Sequence, residues 1–171
     1  MKRTVVVLGV LFILAGCGEN GERSCWMGGC RLRNQGSVMY GPVTFNGNTF
    51  DGQLTIYGTL DANEISAQAT TVYGTADIKN STLTGPVIVQ GFLKAQKSTF
   101  NDVITVYGST ELDDCVVQNI YIKQTEGQPS EITLIGDCVV KGSITFESGQ
   151  GIVHAKGSPQ ILGRIKGGIL D

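Results

Sequence analysis

Tyr57-Gly58-Thr59-Leu60-Asp61-Ala62-Asn63-Glu64-Ile65-Ser66-Ala67-Gln68-Ala69-Thr70-Thr71-Val72-Tyr73-Gly74 contains one complete repeating unit of this chain. It opens and closes on Tyr-Gly, and between the two pairs apolar and polar residues alternate with period two, the signature of half-buried strands. The same punctuation recurs at Tyr40-Gly41, Gln90-Gly91 and Tyr107-Gly108. A repeat of about seventeen residues carried by strand-forming side chains marks a stack of β-coils, because each unit is too small to bury its own apolar face.

Superimposing the units on their glycines, with one-residue deletions in the second and fifth, gives columns of consistent chemistry. Val43, Leu60, Ala76, Leu93 and Thr110 share one column, and Phe45, Ala62, Ile78, Ala95 and Leu112 lie two residues on. A second short strand supplies Phe50, Ala67, Leu83, Phe100 and Val117. The third supplies Leu54, Thr70, Val87, Ile104 and Ile120, then Ile56, Val72, Val89, Val106 and Ile122. All five columns are expected to face inward. Crossovers between parallel strands are almost always right-handed, so the predicted fold is all-β: a right-handed parallel β-helix, a triangular solenoid of about seven coils of roughly 17 residues. Asp114-Cys115-Val116-Val117 is echoed by Asp137-Cys138-Val139-Val140, which sets the sixth coil in register and leaves residues 124–130 as a polar loop insertion.

The amino terminus reads as an export signal. Lys2 and Arg3 precede an apolar run from Val5 to Ala15, too short to span a bilayer. Leu14-Ala15-Gly16-Cys17 resembles the lipobox of bacterial lipoproteins. That likeness implies a signal peptide over residues 1–16, cleavage before Cys17 and acylation of Cys17, palmitate being one such chain. It also implies a lipid-anchored place in the bacterial cell envelope. Gly18 follows where aspartate would favour inner-membrane retention, so by the same analogy the outer membrane is expected. Residues 17–36 are then a lipidated tether and residues 37–171 the β-helix domain.

Near Ile161-Leu162-Gly163-Arg164-Ile165-Lys166-Gly167-Gly168 the chain is similar to the bactofilins, polymer-forming bacterial β-helix proteins. The likeness implies the β-helix fold and raises self-association as an expectation.

With Cys17 assigned to lipid, Cys25, Cys30, Cys115 and Cys138 remain, an even number in an oxidising compartment. Cys25 and Cys30 flank Trp26-Met27-Gly28-Gly29, a loop flexible enough to close as a disulfide. A zinc site would need more than the single His154, so no metal and no cofactor are expected. Cys115 and Cys138 share a column of adjacent coils, where they are either bridged or stacked as buried free thiols.

Three surface features invite function. An outward column of Thr44, Asp61, Asp77, Lys94 and Glu111 places carboxylates at coil spacing, as in β-helix enzymes that cut acidic polysaccharides, but Lys94 breaks it. Asp113-Asp114 is an equally suggestive and equally weak carboxylate pair, since adjacent strand residues face opposite ways. An edge of Tyr40, Tyr57, Tyr73 and Tyr107, beside Thr55, Thr71, Ile88, Thr105 and Tyr121, offers aromatic area suited to a protein or a sugar polymer. The 13 Lys and Arg against 15 Asp and Glu form no basic cluster beyond Arg31 and Arg33, which excludes nucleic acid as a partner. The expectation is a non-catalytic structural or interaction lipoprotein, its ladder facing a protein partner, itself or peptidoglycan. A glycan-binding module, or a degenerate relative of β-helix polysaccharide lyases and hydrolases, is the alternative.

Overall fold

Leu60, Ala62 and Ile78 have no exposed surface, and they stand in the two inward columns of the first strand of successive coils. The computed structural model of this protein describes residues 31–32, 36–123 and 130–171. The signal segment, Cys17, Cys25, Cys30 and loop residues 124–129 lie outside the described residues.

Every strand pairing among the described residues is parallel and in register at coil spacing. Val43–Asn46 pairs with Leu60–Asn63, and that strand with Ala76–Lys79. Leu93–Gln96, Thr110–Asp113 and Glu131–Gly136 continue the ladder, and Gly151–Gly157 and Gly168–Leu170 complete an eight-stranded sheet. The other two segments of each coil join a twelve-stranded sheet, because strands such as Thr49–Tyr57 and Thr99–Val106 run through the intervening corner. The result is an all-β solenoid of about eight turns, one more than the period predicts. Its extra turn begins at Gly168–Leu170, where two glycines and a short apolar run give little sequence signal.

The two predicted deletions fall at one corner. Phe50 pairs with Ala67 and Phe100 with Val117, but beyond them Gln53 pairs with Ala69 and Val103 with Asn119. A bulge at this corner absorbs the odd residue, so the columns on either side stay aligned. At the amino-terminal end Arg31–Leu32 pairs with Thr49–Phe50, so the stack begins inside the segment read as tether. Two residues are too few for alternation to reveal.

The core is one continuous cluster of aliphatic side chains with Phe50, Phe100 and Phe146. Thr70 and Thr110 interrupt it. Both are buried, and among the described residues neither hydroxyl oxygen finds a hydrogen-bond partner.

Two kinds of corner hold the coils together. After the third segment come Gly58, Gly74, Gly91 and Gly108, each with φ near +150°. A Cβ on Gly74 would overlap the carbonyl oxygen of Gly58, and the same holds up the ladder. Only glycine meets both demands. After the first segment, Glu64, Asn80, Lys97 and Asp114 take φ of 49° to 55°, a left-handed conformation costing about 1 kcal/mol or more for a residue with a Cβ. Side chains in the column just after this corner tie successive coils together. Ser81 Oγ accepts the amide of Ile65 at 3.1 Å, Ser98 Oγ accepts that of Ser81 at 3.1 Å, and Cys138 Sγ accepts that of Cys115 at 3.4 Å. Serine and cysteine thus occupy one buried hydrogen-bonded column.

Candidate partner-binding face

Alternation sends every second side chain of each strand outward, so one strand per coil presents two outward columns. On the twelve-stranded sheet these columns are Val38, Thr55, Thr71, Ile88, Thr105 and Tyr121, and beside them Tyr40, Tyr57, Tyr73, Gln90 and Tyr107. Neither column carries a charge over this stretch. Tyr40 is 75% exposed and Val38 56%, and Tyr57, Tyr73 and Tyr107 are exposed as well. The first charges appear at the carboxyl-terminal end, where Lys123 lies 5.0 Å from the Tyr121 ring and pairs with Glu147 at 2.9 Å.

The tyrosines are stacked on one another. Ring centroids of Tyr40 and Tyr57 are 5.1 Å apart with planes 11° from parallel, and those of Tyr57 and Tyr73 are 4.6 Å apart at 4°. Coil spacing imposes this, since side chains of one rotamer repeat at the strand separation of about 4.8 Å. The consequence is chemical. Inner ring faces are covered by neighbouring rings, leaving edges and hydroxyls to solvent. A pyranose that packs flat on an aromatic ring is thereby kept from both faces of Tyr57, and within the stack the most exposed ring is Tyr40. Gln90 separates Tyr107 from the stack, so the run of contact ends at Tyr73.

The opposite character marks the eight-stranded sheet. Thr44, Asp61, Asp77, Lys94 and Glu111 do stack in one outward column, which continues through Thr133 and His154 to Asp171. Three of these charges are paired. Lys94 meets Glu111 at 2.7 Å and Lys79 meets Asp77 at 3.0 Å. These hydrogen bonds and the adjacent carboxylate charge hold both lysines above the ordinary lysine value. Asp113 accepts Gln96 Nε2 at 2.9 Å, while Asp114 caps a corner by accepting the Asp137 amide at 3.0 Å. The two aspartates are therefore engaged in structure and face different surroundings.

His154 Nδ1 lies 2.9 Å from Asp171 Oδ2, a pair that sequence reading missed although its separation of 17 residues is the coil period. Thr133 precedes His154 in the column, yet no hydroxyl among the described residues is hydrogen-bonded to the ring. The base and its orienting carboxylate are present without an engaged nucleophile. Among the described residues no three His, Cys, Asp or Glu converge to hold a metal ion. A hollow of about 300 Å³ at the last turn is lined by Gly149, Gln150, Gly151, Ile152, Gly168 and Ile169, with no charged group to fix a ligand.

Cys115 and Cys138 lie in one column as buried free thiols. Cys115 Sγ donates to the carbonyl of Asp113 at 3.2 Å, and Cys138 Sγ lies 3.1 Å from that of Ile135. Burial pushes the Cys115 thiol up to about 12 and raises that of Cys138. Neutral thiols of this kind are poor nucleophiles and act as small core residues.

Comparison with protein-family models, with curated proteins and with solved structures yields no match.

Proposed function

We propose that this chain is a non-catalytic structural or interaction lipoprotein of the bacterial cell envelope. It is anchored through acylated Cys17, most simply in the outer membrane, and docks a protein partner, another copy of itself or peptidoglycan on its uncharged face. The supporting observation is the contrast between faces: on the eight-stranded sheet Lys79 pairs with Asp77 and Lys94 with Glu111, while Val38, Tyr40, Tyr57, Tyr73 and Tyr107 stay exposed on a charge-free strip. Strands about 4.8 Å apart make that strip on the order of 300 Å², comparable with the largest apolar patch of an ordinary monomer, which is often functional.

Photo-crosslinking tests this. A benzophenone side chain placed at Thr71 or Thr105 should give adducts in cells, and one placed at Asp61 or Lys94 should not. Equal adducts from both faces, or none from the uncharged one, would defeat the proposal.

The glycan-binding alternative draws support from one observation, the exposed ring of Tyr40. It predicts that isolated peptidoglycan or a soluble polysaccharide retains the chain and that Tyr40→Ala alone abolishes retention. Under protein docking, Tyr40→Ala leaves the crosslinks at Thr105 in place.

A further inference from the structure

Of the five tyrosines, three are held face to face and two stand apart. Tyr57 lies between Tyr40 and Tyr73, its ring centroid 5.1 Å from the first and 4.6 Å from the second. Gln90 fills the next place in the column, so Tyr107 stands two coils, roughly 10 Å, beyond Tyr73. Tyr121 belongs to the other outward column, where its ring faces Lys123. Register fixes the contacts. Tyr40 pairs with Tyr57 and Tyr57 with Tyr73 in parallel strands, so their backbones cannot part without separating the coils. Solvent still reaches the stack, since Tyr57 is 42% exposed and Tyr73 39%.

We propose that this stack is an oxidative modification site, at which Tyr57 couples to Tyr40 or Tyr73 as a dityrosine staple between coils. The co-reactant is hydrogen peroxide, acting through a one-electron oxidant of the haem peroxidase class. Each of two phenols gives up one electron and its hydroxyl proton. The resulting radicals join through a carbon ortho to the oxygen on each ring. Each ortho carbon then releases its hydrogen as a proton, and each oxygen takes one up, which restores both phenols. The pair has lost two electrons and two protons, and these reduce one peroxide to two waters.

Proximity selects the residues. Radicals on separate chains must meet by diffusion, whereas groups held in contact react at effective concentrations far above that of any protein. Exposed rings close from stacking distance to a bond by turning about their side-chain torsions while the strands stay in register. Tyr57 takes part in both contacts of the stack, so every staple includes it. Tyr107 and Tyr121 have no ring partner among the described residues. The staple joins the third segments of two coils, which otherwise only hydrogen bonds and packing hold together. It lies on the uncharged face but needs no partner there.

Treatment of the full chain with hydrogen peroxide and a haem peroxidase tests this. The parent should gain dityrosine fluorescence, lose the mass of two hydrogen atoms and remain a single chain on a denaturing gel. Proteolysis should yield a crosslink from the Tyr57 peptide to that of Tyr40 or Tyr73. Tyr57→Phe keeps a ring in the stack but removes the phenol common to both contacts, leaving Tyr40 and Tyr73 two coils apart. Its intramolecular yield should fall by about tenfold or more, because small misplacements of reacting groups cost that much. Tyr107→Phe should match the parent. Equal yields in Tyr57→Phe and the parent, crosslinks to Tyr107 or Tyr121 as abundant as those within the stack, or dityrosine formed only between molecules would overturn the proposal. So would an absence of dityrosine under conditions that couple free tyrosine.

Discussion

The amide of Cys115 donates to Sγ of Cys138 across 23 residues of sequence and a single step of the stack, at 3.4 Å. Both sulfurs are buried, and Cys115 keeps its proton to about pH 12 in the folded chain against an ordinary value of 9.0. Unfolding frees it to ionise. The unfolded state therefore binds fewer protons than the native state above pH 9, and stability falls as pH rises from about 9 towards 12. The slope is at most about 1.4 kcal/mol per pH unit for each such thiol. Urea unfolding at pH 8, 9 and 10 should show this loss, and Cys115→Ser should lessen it while folding normally, since Ser81 and Ser98 already fill the column. An identical pH dependence in the two chains would contradict the assignment.

Glycines at the two corners should respond oppositely to substitution. At Gly74 an added methyl meets the backbone of Gly58, which cannot move without displacing a whole coil. Gly74→Ala should cost about 3 kcal/mol or more. Nothing lies within 4 Å of a Cβ built on Gly47, and its column equivalents carry Glu64, Asn80, Lys97 and Asp114 in the same conformation. Gly47→Asn should change stability by less than about 1 kcal/mol. Thermal unfolding of the two variants is the comparison to make, and a tolerated Gly74→Ala would refute the close approach of corners.

Two buried threonines should be improvable. Thr70 stands between Leu54 and Val87 in its column, and Thr110 between Leu93 and Ile132. Their hydroxyl oxygens are desolvated without a partner among the described residues. Valine keeps the shape and removes the unpaired dipole, so Thr70→Val and Thr110→Val should each stabilise by about 1 kcal/mol or more. Chemical denaturation would report a higher midpoint. A lower one would mean that these hydroxyls are satisfied in solution.

The inward columns could be read from sequence because each is repeated five times, and alternation specifies one face of each strand. The corner deletions were legible for the same reason, since Ala67 to Thr70 is one residue shorter than Phe50 to Leu54. What escaped was contact between side chains that share no chemistry column. Asp171 gave no hint of meeting His154, because a single histidine has no repeat to reveal its register. The buried role of Ser81 and Ser98 was hidden by their polarity: period two marks them as surface, whereas the left-handed residue before each turns the strand and aims the hydroxyl inward. Stacking of the tyrosines followed from their column, but only ring geometry shows that their faces are spent on one another.

The in-register parallel stack is the claim on which faces, ladders and corners all depend. Cysteine pairing measures it directly, in a chain whose five native cysteines are replaced by serine. Thr71 and Ile88 are register neighbours on the outward face, within the roughly 4.4 to 6.8 Å between Cα atoms that a disulfide accepts. Thr71→Cys with Ile88→Cys should oxidise to an intramolecular bridge in high yield, and Thr71→Cys with Thr105→Cys, two coils apart, should remain reduced. A bridge in the second pair and none in the first would contradict the stack.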